Sequence, residues 1–131
     1  MNASERERVR QRANNCCEYC RLPQSALPAV TFHVEHVRSR RLGGNSSFEN
    51  LALACDRCNF NKGTNASAFD PQTGLLTRLF DPRIDMWSTH FRNAGCEIEG
   101  LTDVGRASAV LLKMNDPRRV QLRQAISDEL A

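Results

Sequence analysis

Two Cys-x-x-Cys pairs constrain this chain more than any other feature. They are Cys17-Glu18-Tyr19-Cys20 and Cys55-Asp56-Arg57-Cys58, with residues 21–54 between them. Two residues between thiolates let both sulfurs of a tight turn face one ion. Two such turns complete a closed tetrahedral site of four thiolates, the usual setting of structural zinc. The intervening stretch is longer than in a zinc ribbon and can hold a hairpin of its own. Neither pair reads as lying in the strand–CxxC–helix setting of a redox protein, so a structural metal is preferred to redox chemistry or a disulfide. The chain has six cysteines; Cys16 and Cys96 are left over and read as small buried or surface thiols.

The first dozen residues are charged and lack the apolar core of a secretory leader. A reducing, cytoplasmic setting is therefore expected, where cysteines bind metals more often than they pair. No run of about 18 apolar residues suggests a membrane span. At 131 residues, 40% of them hydrophobic, the chain can bury one modest core. Its net charge of +3 is unevenly spread. Residues 1–63 hold 10 Lys+Arg against 6 Asp+Glu, and residues 64–131 hold 8 against 9. The basic excess lies wholly in the cysteine-bearing half, which points to a polyanionic partner such as nucleic acid.

Pattern and punctuation predict an α+β chain. Residues 3–15 read as a helix with Ser4 as N-cap, broken at Asn14-Asn15. Residues 30–37 alternate and are β-branched, so they read as a strand. Residues 38–47 form a basic loop containing Gly43-Gly44. Residues 50–54 are a short apolar stretch leading into the second cysteine pair, and 59–66 begin a short helix or turn. Beyond residue 66 the spacing predicts a turn at 70–74, a strand at 75–80 and a helical stretch through Trp87 to Arg92. Trp87, His90 and Phe91 there share one core-facing side. A strand follows at 96–101, then a helix from Asp103 to Met114. Asp116 as N-cap and Pro117 at the first position start a last helix running to about Leu130. The expected division is residues 1–66 as a metal-framed unit and 67–131 as a strand and helix extension packed on it.

Between and beyond the cysteine pairs lies an ordered series: His33-Val34-Glu35-His36, Arg38-Ser39-Arg40-Arg41-Leu42-Gly43-Gly44, Glu49-Asn50-Leu51, and Cys58-Asn59-Phe60-Asn61-Lys62-Gly63. Taken together over roughly residues 12–65, these resemble the HNH endonuclease family. Its pattern is an acid–His pair ending a strand, a Gly-Gly loop, Asn-Leu, and Cys-x-x-Cys-Asn-x-x-Lys-Gly. The tail from Gly100 through Val120 also looks like that of small stand-alone bacterial HNH proteins. The resemblance implies a ββα-metal, treble-clef-like motif, in which a hairpin and a helix cradle one catalytic divalent ion. On that basis Glu35 is the acidic metal ligand, where many relatives carry Asp, and His36 is the general base. Asn50 holds the loop that orients the base. Asn59 completes the metal site at a position where some members carry His and others Asn. With Asn there, a hard ion such as Mg2+ or Mn2+ is favoured over zinc at the catalytic position.

The implied reaction is hydrolysis of DNA phosphodiester bonds by water activated at His36. Arg38, Arg40, Arg41 and Lys62 are the expected phosphate contacts. His33 shares a strand face with Glu35 and is expected beside the site or in packing. Arg118, Arg119 and Arg123 are candidates for further DNA contacts or for a homodimer surface, and the four-cysteine zinc is purely structural. The alternatives are a zinc-stabilised nucleic-acid-binding module without catalysis, and a redox or metal-sensing protein.

Overall fold

The computed structural model describes residues 1–130. Its elements are α1 (Ala3–Arg12), β1 (His33–His36), β2 (Leu51–Ala54), α2 (Asp56–Lys62), β3 (Ser67–Phe69), β4 (Leu76–Arg78), α3 (Trp87–His90), β5 (Phe91–Ala94), β6 (Glu97–Gly100), α4 (Asp103–Leu111) and α5 (Pro117–Leu130). The strands form three separate antiparallel hairpins, β1–β2, β3–β4 and β5–β6.

α1 begins one turn-start earlier than Ser4 suggests. Asn2 is the N-cap, because its side chain accepts from the Glu5 amide while the Glu5 carboxylate accepts from the Asn2 amide. This reciprocal capping box satisfies two orphan donors at once. The helix ends at Arg12, and Asn14 and Asn15 then both adopt left-handed backbone, with φ of 56° and 55°. Asn tolerates that conformation better than most residues. Only Val9 of this helix is buried. Arg12 supplies the other anchor, donating to the Phe48 carbonyl at 2.7 Å and to the Leu51 carbonyl, and lying 3.7 Å over the Phe48 ring. It is therefore committed to the fold, at the point where β2 begins.

β1 is shorter than the alternating run, and it pairs with β2 so that Glu35 faces Ala52 and His36 faces Leu51. All four residues of β2 are buried, which is why that stretch is apolar without alternation. β2 runs straight into Cys55, and α2 starts at Asp56, three residues before the expected helix. The second cysteine pair thus does sit between a strand and a helix, contrary to expectation. The sequence had shown an apolar run too short to identify as a strand.

The second half differs from expectation at two elements: Ser67–Phe69 forms β3, an unpredicted strand paired with β4, and the stretch after Trp87 changes type. The predicted helix through Arg92 stops at His90, and Phe91–Ala94 becomes β5, paired with β6. Phe91, expected on a helix face, is instead a buried strand residue. A helix there gives way because the Glu97–Gly100 strand needs a partner, and the Gly95 turn, with φ of 65°, supplies the reversal. Gly105 allows α4 to sit directly on this hairpin: a Cβ there would lie 2.0 Å from the His90 carbonyl oxygen. The start of α5 matches the reading, with Asp116 accepting from the Arg118 amide at 3.0 Å.

Residues of both halves share one buried cluster, from Val9, Tyr19 and Phe32 to Phe91, Ile98 and Met114. Edge-on aromatic contacts run from Tyr19 to Phe80 and from Phe80 to Phe91, and the Trp87 indole donates to the Tyr19 carbonyl at 2.7 Å. A buried ion pair reinforces the β3–β4 turn. Asp70 accepts two hydrogen bonds from Arg106 of α4, both at 2.9 Å, and others from the Gln72 amide and the Thr73 hydroxyl. The Arg106 guanidinium holds the Asp70 carboxyl well below the usual carboxylate range. A depressed carboxyl stabilises the fold above its unfolded-state pKa of about 3.9, and that contribution is lost as pH falls through the folded value. Asp70→Asn is expected to lower the thermal midpoint at pH 7 and to lose less stability than wild type below pH 4. Thermal melts of both proteins across pH 2–7 check this.

Candidate active site

The four cysteines converge. The sulfurs of Cys17, Cys20, Cys55 and Cys58 all lie within 4.8 Å of one another, and all four residues are buried. In each turn the second cysteine's amide points at the first sulfur, from Cys20 to Cys17 at 3.5 Å and from Cys58 to Cys55 at 3.4 Å. Such donors favour thiolates. Metal–sulfur bonds of about 2.3 Å in a tetrahedron place sulfurs roughly 3.8 Å apart, and the Cys20 and Cys55 sulfurs are 3.8 Å apart. The donor set thus fits a metal ion such as zinc. Cys16 and Cys96 lie outside the cluster.

Glu35 sits beside this cluster, held from two sides. The Tyr19 hydroxyl, from within the first cysteine turn, donates to its Oε1. The Lys62 ammonium, from the last turn of α2, donates to Oε2 at 2.9 Å and to the His36 carbonyl at 3.1 Å. Side-chain exposure is 3% for Lys62 and 8% for Glu35. Burial pushes the Glu35 carboxyl up, while Lys62 and Tyr19 pull it the other way. Burial also drives the Tyr19 phenol well above its ordinary value, with Glu35 adding to the rise.

His36 ends β1, and its Nε2 lies 3.0 Å from the Ser46 hydroxyl. Burial, helped by the positive charges of Arg40 and Lys62, holds the imidazole below its ordinary pKa. It is therefore neutral at pH 7 and able to accept a proton. The loop carrying Ser46 is clamped by Asn50. Its side chain accepts from the Arg38 amide at 3.0 Å and donates to the Arg38 and Asn45 carbonyls at 3.0 and 2.7 Å. Gly44 lets the loop pass under this clamp, since a Cβ would fall 1.8 Å from the Arg38 oxygen.

These parts meet at an open groove of about 430 Å³. His33, Glu35 and His36 line it from β1, Asn59 from α2, and Arg40 and Arg41 from the loop. Residues 17–65 match the family model described as HNH endonuclease. That segment is similar to HNH domains. The description names a family of nucleases. No curated protein and no solved structure matches the chain significantly. No helix is long and apolar enough to cross a membrane among the described residues.

Within the matched segment, six of the expected residues share the groove, and Asn50 stands behind it as the loop clamp. Two expectations about charge are corrected. Lys62 was read as a phosphate contact, but its ammonium is buried against Glu35 and the His36 carbonyl. The i to i+4 spacing from Cys58 turns it to the same inward face as that cysteine. Arg119 and Arg123, read as DNA contacts or a dimer surface, are likewise taken up internally. Arg119 pairs with Asp56 at 2.5 Å, and Arg123 donates to the Cys96 and Met114 carbonyls. Arg38 remains exposed, although its Nε donates to the Leu42 carbonyl at 2.9 Å. Sequence reading missed Ser46 and Tyr19. Tyr19 had one available signal, an aromatic hydroxyl between the two cysteines of a Cys-x-x-Cys pair.

Removing one partner of a buried ion pair leaves a charge without compensation. Lys62→Met should therefore cost about 3–5 kcal/mol, and Glu35→Gln combined with Lys62→Met should recover part of that loss. Urea denaturation of the two variants and wild type measures it; equal stability of wild type and Lys62→Met would contradict the buried pair.

Proposed function

We propose that this protein is a metal-dependent endonuclease that hydrolyses DNA phosphodiester bonds, built on β1, β2 and α2 as a ββα-metal unit. One observation carries the reading. A neutral imidazole, a carboxylate and amide oxygen pair, and two unburied arginines converge on one groove of the segment that matches the HNH model.

His36 takes the proton from the attacking water, a role for which its lowered pKa suits it. Asn50 and Ser46 fix the loop and the ring, so that the base meets the water in one orientation. Arg40 and Arg41, with Arg38 at the margin, hold phosphates along the groove. Glu35 and Asn59 would hold Mg2+ or Mn2+; their oxygen donors suit a hard ion. Each Glu35 oxygen has two lone pairs, so accepting one hydrogen bond leaves capacity for an ion. When bound, the ion neutralises charge on the phosphate and the leaving oxygen. The four cysteines hold Zn2+ in a closed site whose role is to shape the unit.

A second reading, a zinc-stabilised nucleic-acid-binding module without hydrolysis, draws on one fact. Both Glu35 oxygens are already engaged, by Tyr19 and Lys62.

A plasmid-nicking assay separates the two. Wild type should relax supercoiled DNA with Mg2+ or Mn2+ and stop on chelation, and His36→Ala should be slower by about 10²–10⁴-fold. Identical behaviour of wild type and His36→Ala sinks the enzymatic reading and favours the binding module. Elemental analysis should give about one zinc per chain, in keeping with a closed four-thiolate site, and Cys58→Ser should lose it. Zinc-free, folded wild-type protein would overturn the structural zinc.

A further inference from the structure

On α2, Cys58 and Lys62 face inward, each 2% exposed, whereas Phe60 is 83% exposed. Singly exposed apolar side chains are ordinary; the position of this one is not. Phe60 follows Asn59 directly and lines a second open cavity, of about 590 Å³, together with His33, Asp56, Asn59 and Lys113. His33 and Asn59 also line the candidate active-site groove. The two recesses therefore adjoin at those residues, with Arg40 and Arg41 lining the first and Lys113 the second.

The charges of the second recess suit a polyanion. Asp56 is paired with Arg119, and Arg57 with Asp116 at 3.1 Å. Their mutual neutralisation leaves Lys113 as the cation that faces the recess. Lys113 belongs to the turn after α4 and holds left-handed backbone, with φ of 51°, a conformation uncommon outside glycine. The C-terminal half thus reaches back to the groove through this residue.

We propose that the Phe60 ring stacks on a DNA base next to the cleaved phosphate, while Lys113 contacts the adjoining backbone. The proposal rests on the nuclease reading of the groove. Every base offers a π-face, so stacking on an aromatic ring adds affinity with little sequence preference. Phosphate contacts release counterions and depend on salt, whereas stacking does not. The two residues should therefore leave different signatures.

The test measures binding of a fluorescent DNA duplex carrying a single-stranded gap, whose bases are free to stack, by the full chain in a His36→Ala background, which keeps the DNA intact, from low to high salt. Adding Phe60→Ala should weaken binding about tenfold with the salt slope unchanged. Lys113→Gln should reduce that slope by about one. Phe60→Trp should bind, and its added emission, read against the constant Trp87, should be quenched by DNA. The exposure of position 60 keeps these variants folded, and circular dichroism verifies it. If the parent binds and Phe60→Ala binds equally well, or the Phe60→Trp emission is unmoved at saturation, the stacking proposal alone fails. If the parent does not bind DNA, the nuclease reading falls and takes the proposal with it.

Discussion

Four sulfurs drawn within 4.8 Å of each other oblige two distant turns of the chain to occupy one point. Much of the first half follows from that. β2 must end at Cys55, α2 must begin beside it, and the hairpin partner β1 is placed by its register with β2. In a domain of this size the apolar core is modest, so a metal ion held by these sulfurs would do work that extra hydrophobic volume does in larger proteins.

A second layer of polar contacts converts the cysteine frame into a site. Tyr19 lies within the first cysteine turn and Lys62 on the helix that begins in the second, and both bond Glu35. The carboxylate therefore reports on both turns at once. His36, the next residue, has its carbonyl held by the same ammonium. The groove and the sulfur cluster are thus mechanically one object, joined through a few charge-assisted hydrogen bonds. Paired contacts at Arg57–Asp116 and Arg119–Asp56 tie the same helix to α5.

The cysteine frame, the strand before Glu35-His36 and the start of α5 were legible because each is written in local spacing or in a cap. The Asn50 clamp was legible only through the family resemblance; its partners are main-chain atoms, which leave no trace in side-chain identity. β5 was hidden because Phe91 and its neighbours carry a helix-like spacing, and pairing with β6 overrode it. Lys62 was misplaced because a lysine among arginines reads as surface charge. Only the inward face shared with Cys58 shows that it is a core residue. Arg12, Arg119 and Arg123 teach the same lesson, since composition counts charges but does not say which ones the fold consumes.

The Asn50 clamp grips the loop only by the Arg38 amide and carbonyl and the Asn45 carbonyl. Main-chain atoms are common to nearly every residue type, so the path of the loop is insulated from most of the side chains it displays. Arg40 and Arg41 can therefore be substituted without moving the main chain, while Gly44 and Asn50 preserve the route. The path of the loop and the charge it displays thus rest on separate residues of one short segment.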